Sequence, residues 1–410
     1  MREIGENFIS SEAMEESGRL GYEFYSRSIG SPRRVVAPMV DQSELAFRRL
    51  CRRYGSDLCY TPMYNSRCFA GSSHYRNSNF DPHPEDRPLF VQFCGHDPAL
   101  LLASAKYVEK DCDAVDLNLG CPQGIARKGR YGAFLLEEWA LLRDIVSTLS
   151  RNLTIPVTCK VRLLDSVDDT VNMCKILVSA GARIITVHGR TKEQKGRAVS
   201  ECDWEAIRRV KEALPVPVFA NGGIASLADY DRCLRETGCD GVMSSEAVLE
   251  HPGFFSDNVS SITGIKSSQD DLVLEYLELV RESPPHSRGR MGISCLRAHL
   301  FKSLFTGLAT RTDLRARLTK ARSLEEMEEL ALAIREARLA NPSVFDEKKT
   351  WYRRHTNPHA SEEWGTPQEN WKAEALVVAE KRSRESLTDE VGLGDCTLWA
   401  ATVTDDGGDY

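Results

Sequence analysis

Short apolar runs alternate with amphipathic segments along most of this 410-residue chain. The runs contain few polar residues, which is typical of parallel strands that are buried on both faces of a sheet. They lie at residues 35–39, 58–60, 89–92, 114–117, 157–161, 184–187, 216–220 and 241–243. Helix-like segments lie between them, at 44–54, 98–108, 136–149, 167–179, 204–214 and 227–236.

This alternation of strands and helices predicts an α/β fold, a (β/α)8 TIM barrel that spans residues 33–265. An open, doubly wound sheet is the structural alternative. The barrel is favoured because nearly all of the candidate chemistry follows a strand. Barrel enzymes build their active sites from the loops at the carboxyl ends of their strands.

The pattern changes after residue 265, where strands no longer separate the helices. Helical segments at 272–281, 293–305, 312–320 and 324–338 predict a small helical bundle over residues 266–340. Ser323 and Glu326 have the spacing of a capping box at the start of the last segment. Residues 1–32 are interpreted as an N-terminal extension. Residues 341–410 lose periodicity, end in an acidic stretch, and are predicted to form a disordered tail.

Composition narrows the class of protein. The hydrophobic content of 41% is ordinary for a globular chain, and the net charge of -7 does not by itself indicate a nucleic-acid binder. No two cysteines are three residues apart, so no CxxC pair predicts a metal site, and free thiols suit a reducing compartment. The acidic start resembles no targeting segment, and no apolar run approaches the roughly 20 residues of a membrane span. We therefore expect a cytoplasmic or nuclear monomer without membrane contact.

The strongest candidate for chemistry follows the fourth strand, where residues 116–123 read Asp-Leu-Asn-Leu-Gly-Cys-Pro-Gln. Gly120 lets the backbone approach a ligand closely, and Pro122 stiffens the loop. Cys121 is therefore expected at the catalytic mouth of the barrel. A turn with an incidental thiol is the alternative interpretation.

Other strand ends carry polar groups or glycines as well. Lys160 ends the fifth strand, where a cation suits an anionic cofactor in a dry site. His188 ends the sixth strand and offers a donor to phosphate or flavin oxygens. Residues 221–224, Asn-Gly-Gly-Ile, and 244–247, Ser-Ser-Glu-Ala, follow strands seven and eight, where barrels commonly bind phosphate. A solvated lysine, a structural histidine and flexible loops are the alternatives.

The first and third strands complete this set. Residues 37–40, Ala-Pro-Met-Val, end the first strand, and Gln92 at the end of the third strand has an amide that can both donate and accept. Taken together, the strand ends suit a flat, phosphorylated heterocycle. FMN fits that description.

Cations cluster between residues 288 and 322, within the predicted helical bundle. Arg288, Arg290, Arg315, Arg317 and several others lie there, and Asp313 is the acid among them. A local cluster of cations in an acidic chain indicates contacts with phosphates. An ordinary solvated helix face is the alternative.

In order and spacing, these motifs resemble those of the dihydrouridine synthases of tRNA, from about residue 35 to residue 330. The motifs are Ala-Pro-Met at 37–39, Asn-Leu-Gly-Cys-Pro at 118–122, Lys-Val-Arg at 160–162, His-Gly-Arg-Thr at 188–191 and Asn-Gly-Gly-Ile at 221–224. Residues 40–44 and 194–196 resemble the eukaryotic cytosolic branch, which acts on D-loop positions 16 and 17.

The resemblance implies a mechanism. NADPH would reduce FMN, whose N5 hydride would go to C6 of uracil while Cys121 protonates C5 as the general acid. An unperturbed thiol with a pKa of about 8.5 is protonated at pH 7 and can donate that proton. Lys160 would lie beside flavin N1 and the C2 oxygen. The target uridine would leave its base stack to reach the mouth of the barrel.

The resemblance also implies roles for the remaining residues. FMN would be bound by Pro38, Met39, Val40, Gln92, Asn118, Lys160, His188, Asn221, Gly222, Gly223, Ser245 and Glu246. The tRNA would contact Arg162, Arg190, Arg315 and Arg317. In one departure, Ser245-Glu246 replaces a Gly-Arg pair found in many members of the family, which keeps a backbone N–H but loses an arginine–phosphate ion pair.

Other functions compete with this interpretation. A flavoenzyme of dihydroorotate or of free pyrimidines would share the barrel, FMN and an active-site cysteine or serine, but it would not need the basic helical segment. A non-catalytic RNA-binding barrel would not need Cys121, Lys160 and His188. A phosphate-binding barrel lyase would leave Lys160 and Gln92 without a flavin.

Overall fold

The computed structural model describes residues 9–256, 268–285 and 292–342, and it contains a closed barrel of parallel strands. The strands of the barrel are β1 (Arg34–Val36), β2 (Leu58–Tyr60), β4 (Leu89–Cys94), β5 (Ala114–Leu119), β6 (Val157–Leu163), β7 (Ala182–Thr191), β8 (Val218–Asn221) and β9 (Gly241–Ser244). They pair in the order β2-β1-β9-β8-β7-β6-β5-β4, and a β2–β4 pairing closes the ring. The predicted barrel is therefore confirmed. A short strand β3 (Tyr64–Asn65) is added beside β4.

Helices surround the barrel and follow it along the chain. Those of the barrel are α1 (Ser11–Glu23), α2 (Leu45–Arg53), α3 (Ser66–Gly71), α4 (Ser73–Asn79), α5 (Pro98–Val108), α6 (Gly124–Gly129), α7 (Trp139–Asn152), α8 (Val167–Ser179), α9 (Trp204–Ala213), α10 (Leu227–Thr237) and α11 (Glu246–Glu250). Those after the barrel are α12 (Gln269–Glu282), α13 (Ile293–Ser303), α14 (Phe305–Thr310), α15 (Thr312–Lys320) and α16 (Leu324–Ala340). Within the described residues, no helix combines the length and apolarity needed to cross a membrane.

The helical region after the barrel is confirmed, with one difference in its elements. The segment predicted as one helix at 293–305 is two helices, α13 and α14, that meet at Leu304. The predicted cap of α16 is present, because Ser323 Oγ accepts a hydrogen bond of 3.2 Å from the backbone N–H of Glu326. Arg288, Arg290 and the predicted disordered tail from residue 343 onward lie outside the described residues.

A buried carboxylate joins this helical region to the barrel. Glu44, at the start of α2, accepts a hydrogen bond of 2.6 Å from Tyr276 Oη and lies 3.0 Å from His299 Nε2. Burial opposes its ionisation, but His299 and the Tyr276 hydroxyl outweigh that effect and lower the pKa of Glu44 to about 2. Cys295 lies in the same cluster, and Lys302 Nζ donates to Gln42 Oε1 nearby.

The N-terminal segment belongs to the core of the barrel. Helix α1 packs so closely that a Cβ on Gly18 would lie 2.8 Å from the carbonyl oxygen of Pro215. The next residues cover the amino-terminal end of the barrel, where the Phe24 ring stacks on Phe90 at 6.0 Å. Tyr25 Oη donates to the carbonyl oxygen of Asp240 at 2.9 Å. Residues 11–29, which the sequence analysis treated as an extension, therefore close the end of the barrel opposite the strand ends that carry the motifs.

We expect Phe24→Ala to lower the free energy of unfolding by about 3–5 kcal/mol, the usual cost of removing a buried Phe side chain. Urea denaturation followed by tryptophan fluorescence measures this loss. Arg27→Ala, in the same segment with an exposed side chain, is the control and should change stability by less than about 0.5 kcal/mol. Equal stability of the two variants would show that the segment contributes nothing to the core.

Candidate active site

A cavity opens at the carboxyl ends of the barrel strands and encloses about 640 Å³, including space open to solvent. The structure brings many of the predicted residues together here. Those lining the cavity are Pro38, Val40, Gln92, Asn118, Cys121, Lys160, Arg162 and His188.

Hydrogen bonds from two neighbouring strands hold the Cys121 loop. Asn118 Oδ1 accepts from the backbone N–H groups of Gly120, at 3.1 Å, and Cys121, at 2.9 Å. Arg162 on β6 is buried, and its Nε donates to the carbonyl oxygen of Gly120 at 2.8 Å. The position of the thiol is therefore set by side chains at the ends of β5 and β6.

Two further contacts reach the loop from more distant segments. Lys195, in the loop after β7, donates from Nζ to the carbonyl oxygen of Pro122. Gly132 packs directly on Cys121, because a Cβ at this position would lie 2.9 Å from Cys121 Cβ. Its φ of 67° also favours glycine, so a larger residue there would displace the thiol. Sequence analysis did not single out Lys195 or Gly132 for this role.

Cys121 differs from most cysteines of the chain in its exposure. The free thiols of the described residues are buried except for Cys121 and Cys202, which are partly exposed. Burial raises the pKa of the Cys121 thiol, although the Gln123 backbone and nearby cations oppose the shift. The thiol is therefore protonated at neutral pH and can act as an acid.

Lys160 is a buried cation beside this thiol. It pairs in register with Asn118 across β5 and β6, and only 8% of its surface is exposed. Burial, and then the charge of Arg162, lower the pKa of Lys160 to about 8. Among the described residues, none accepts a hydrogen bond from its ammonium group. Such a cation suits a ligand that brings an anionic or carbonyl oxygen.

Beneath the cavity, Gln92 belongs to a buried polar chain that the sequence analysis did not predict. Gln92 Nε2 donates to Asp116 Oδ2 at 2.8 Å, and Gln92 Oε1 accepts from Asn118 Nδ2 at 2.8 Å. Thr158 Oγ1 donates to Asp116 Oδ1 at 2.6 Å. The available signal was the alternation of strand residues, which puts Asp116 on the same face of β5 as Asn118.

The Gly-Gly loop after β8 forms a close-fitting surface at the other side of the mouth. Gly222 has a φ of 100°, and a Cβ there would lie 2.7 Å from His188 Cδ2. His188 Nε2 lies 3.2 Å from Arg190 Nη1. Asn221 Nδ2 donates to the carbonyl oxygen of Met243 at 3.0 Å, so this side chain ties β8 to β9. Only glycine allows the backbone to approach His188 this closely.

Several predicted site residues make contacts that the sequence analysis did not predict. Arg162 Nη1 donates to the carbonyl oxygen of Thr191 at 2.9 Å, and Arg190 Nε donates to that of Ser200 at 2.8 Å. These two buried guanidinium groups, expected to bind RNA, are used at least in part to hold backbone segments. Met39 is fully buried, and its N–H donates to Ser43 Oγ at 3.0 Å.

The segment after β9 and the basic helix α15 also differ from expectation. Glu246 is buried and starts α11, which is only five residues long, with Ser245 as its N-cap residue. Ser244 Oγ is buried and lacks a hydrogen-bond partner among the described residues. On α15, Arg317 is exposed and lies 3.6 Å from Glu329 of α16. An acid outside residues 288–322, the segment in which the cations cluster, therefore partly neutralises the charge of Arg317.

The barrel and the cavity fit a flavin-dependent oxidoreductase of the (β/α)8-barrel type. A glycine cradle, a buried cation without a hydrogen-bond partner and an unsatisfied buried hydroxyl surround the mouth, and all three fit a phosphorylated, oxygen-rich ring system. The family model described as dihydrouridine synthase (Dus) matches residues 35–340. The chain belongs to this family.

Named relatives from three organisms are similar over most of the chain. The rat protein "tRNA-dihydrouridine(16/17) synthase-like" is 46% identical over 317 residues, which cover 77% of this chain and 69% of that protein. The Schizosaccharomyces pombe tRNA-dihydrouridine(16/17) synthase is 46% identical over 304 residues, 73% of this chain and 76% of that protein. The Saccharomyces cerevisiae protein of the same name is 45% identical over 307 residues, 73% of this chain and 72% of that protein. The three names also specify NAD(P)+.

We expect Lys160→Met to raise the free energy of unfolding of the flavin-free protein at pH 7 by on the order of 3 kcal/mol. The pKa of Lys160 falls from 10.5 to about 8 in the fold, so burying the charged ammonium group costs stability. This cost is fully present below pH 8, where the group is charged in both the folded and the unfolded state. The difference between variant and wild type should shrink as pH rises from about 8 to 10.5. Urea denaturation across this range measures it.

Lys110→Met is the matched control, because Lys110 is exposed on the surface. It should leave stability unchanged at every pH. A loss of stability in Lys160→Met at pH 7 would contradict the prediction, since it would show that the ammonium group supports the fold.

Proposed function

We propose that this protein reduces uridine to 5,6-dihydrouridine at positions 16 and 17 of tRNA, with bound FMN and with NADPH as the reductant. The observation that carries the proposal is a protonated, partly exposed thiol, Cys121, at a cavity that also contains the buried ammonium group of Lys160. The names of the similar proteins from rat and two yeasts support the choice of positions and the use of NAD(P).

The residues at the mouth divide the proposed FMN site into two parts. Lys160 would face N1 and the C2 oxygen of the ring, where its charge favours the reduced, anionic form. Asn118 and the remaining N–H of Gln92 would contact the ring edge, beside Pro38 and Val40. The backbone of residues 221–223 and of Ser245 would hold the ribityl phosphate. The contact between Arg190 and His188 supports this assignment, because it places a cation beside the Gly222 loop. In this protein Ser245-Glu246 lacks the arginine that many members of the family have at that position.

Cys121 would complete the reduction by protonating the base. A bound flavin would supply the hydride to C6 of uracil. The thiol of Cys121 would donate its proton to C5, and burial favours the protonated form that this step requires. The three cations near the sulfur, Arg162, Lys195 and Lys160, would stabilise the thiolate that remains.

The exposed face of α15 and the residues after it would bind tRNA phosphates. Arg315 and Arg317 lie on this helix, and Lys320 ends it. Among the described residues, the side chains of Lys320 and Arg322 form no ion pair, so their charges are available to RNA. The cytoplasmic or nuclear location and the monomeric state expected from the sequence stay predictions.

We expect purified wild-type protein to release FMN on denaturation and to form dihydrouridine at positions 16 and 17 of unmodified tRNA when NADPH is added. Cys121→Ala should keep its flavin but lose about 10²–10⁴-fold of the rate, the usual contribution of a general acid. Nuclease mapping with mass spectrometry locates the product. Cys112→Ser, at the opposite end of β5, is the control and should keep the wild-type rate.

Different failures of this experiment have different meanings. Full activity of Cys121→Ala would show that another group is the acid. Turnover of free uridine or dihydroorotate without any reaction on tRNA would replace the proposal with the small-molecule flavoenzyme. A colourless protein without releasable flavin would exclude both functions.

We expect the double reversal Arg315→Glu/Arg317→Glu to weaken tRNA binding without loss of flavin. Each lost phosphate contact should also reduce the slope of log affinity against log salt concentration by roughly 0.7–0.9. Filter binding at several salt concentrations measures both effects. Arg208→Glu/Arg209→Glu, an equal change of charge on α9, is the control. Unchanged affinity and slope would show that α15 is only a solvated face.

A further inference from the structure

Three side chains on adjacent strands form one hydrogen-bonded chain that leads to the Cys121 loop. Asp116 Oδ2 accepts from Gln92 Nε2, and Gln92 Oε1 accepts from Asn118 Nδ2, both at 2.8 Å. Asn118 Oδ1 then accepts from the backbone N–H groups of Gly120 and Cys121. Asp116 and Gln92 are fully buried, and only 9% of Asn118 is exposed. Water therefore has little access to replace these bonds.

The series of hydrogen bonds has a direction from donor to acceptor, and Asp116 sets that direction. An amide has one end that donates and one end that accepts, whereas an ionised carboxylate only accepts. The carboxylate therefore requires the NH2 end of Gln92, which leaves Oε1 to face Asn118. Asn118 must then turn its own NH2 group toward Gln92, so that Oδ1 faces the loop. If both amides were reversed, the NH2 group of Asn118 would point at the two N–H groups of the loop.

The environment of Asp116 supports an ionised carboxylate at this position. Burial raises its pKa to about 6, while hydrogen bonds from Thr158 and Gln92 and the charge of Lys160 oppose that shift. The group is thus mainly ionised at neutral pH, although burying a charge is costly to the fold. An apolar residue would fill the same space at a lower cost, so the carboxylate is better explained by what it orients.

We infer that Asp116 is a positioning residue for proton donation by Cys121. It sets the orientation of the Gln92 and Asn118 amides and through them holds the thiol loop at the mouth of the barrel. The inference rests on the proposed role of Cys121 as the acid. Asp116 acts on Cys121 through the hydrogen-bonded chain.

Three variants separate orientation from simple loss of charge. In Asp116→Asn the new amide oxygen can still accept from Gln92, while its NH2 group donates to Thr158 Oγ1, because a hydroxyl can accept as well as donate. The direction of the chain is then preserved. In the double variant Asp116→Asn/Thr158→Val that hydroxyl is gone, and the amide has no preferred orientation. Asp116→Leu removes the acceptor entirely.

The expected results follow this difference. Asp116→Asn should keep kcat near the wild-type value. The double variant and Asp116→Leu should lose up to about 10²-fold in kcat, as expected when a reacting group is misplaced by about 1 Å. KM for tRNA should stay unchanged in all of them, because the RNA contacts of α15 are untouched. Dihydrouridine formation by flavin-loaded protein measures both constants.

The reactivity of Cys121 toward iodoacetamide tests the loop independently of catalysis. In flavin-loaded protein, peptide mass spectrometry should show faster alkylation of Cys121 in the double variant and in Asp116→Leu, but not in Asp116→Asn. Cys159, which is fully buried on β6 next to Thr158, should stay unmodified in all variants. Alkylation of Cys159 together with Cys121 would overturn the inference, because it would show a general loosening of the barrel.

The two readouts distinguish failure of this inference from failure of the proposed function. A lower kcat with unchanged alkylation of Cys121 would overturn the positioning role of Asp116. Faster alkylation with unchanged kcat would overturn the role of Cys121 as the acid, and with it the catalytic consequence drawn for Asp116.

Discussion

The active site depends on polar side chains that point into a closed barrel, where a buried polar group without a hydrogen-bond partner is costly. Asp116, Gln92 and Asn118 satisfy one another and end at the backbone of the Cys121 loop. The loop is therefore fixed from within the barrel rather than from its surface. This constraint explains why one buried carboxylate can influence a thiol that it does not touch.

Some polar groups in the same interior lack hydrogen-bond partners among the described residues. Lys160 has a lowered pKa and no hydrogen-bond partner among the described residues, and Ser244 Oγ is buried and unpaired within the same part of the chain. Groups like these reduce the stability of a fold, and they are common where a ligand completes the interactions. The mouth of the barrel is thus built for a bound molecule with several oxygen atoms.

The barrel and the helical region after it share a boundary close to this mouth. Glu44 follows the loop that contains Val40, which lines the cavity, and it binds Tyr276 and His299 of the helical region. Removing one partner from such a buried pair typically costs about 3–5 kcal/mol, so the contact holds the two parts firmly. The surface on α15 that we propose to bind RNA is thereby kept in a defined relation to the Cys121 loop.

The sequence by itself determined the barrel, its strand ends and the Cys121 motif, because buried strands are apolar throughout and loops after strands form barrel sites. It did not show the core contacts of the segment around Phe24, because these leave no repeating pattern. It predicted RNA contacts for Arg162 and Arg190, but it did not show that both side chains donate to backbone carbonyl oxygens. Only the tertiary structure decided those partners and revealed Asp116 as the start of the polar chain, because hydrogen bonds between strands depend on register and side-chain direction, which residue type alone does not specify.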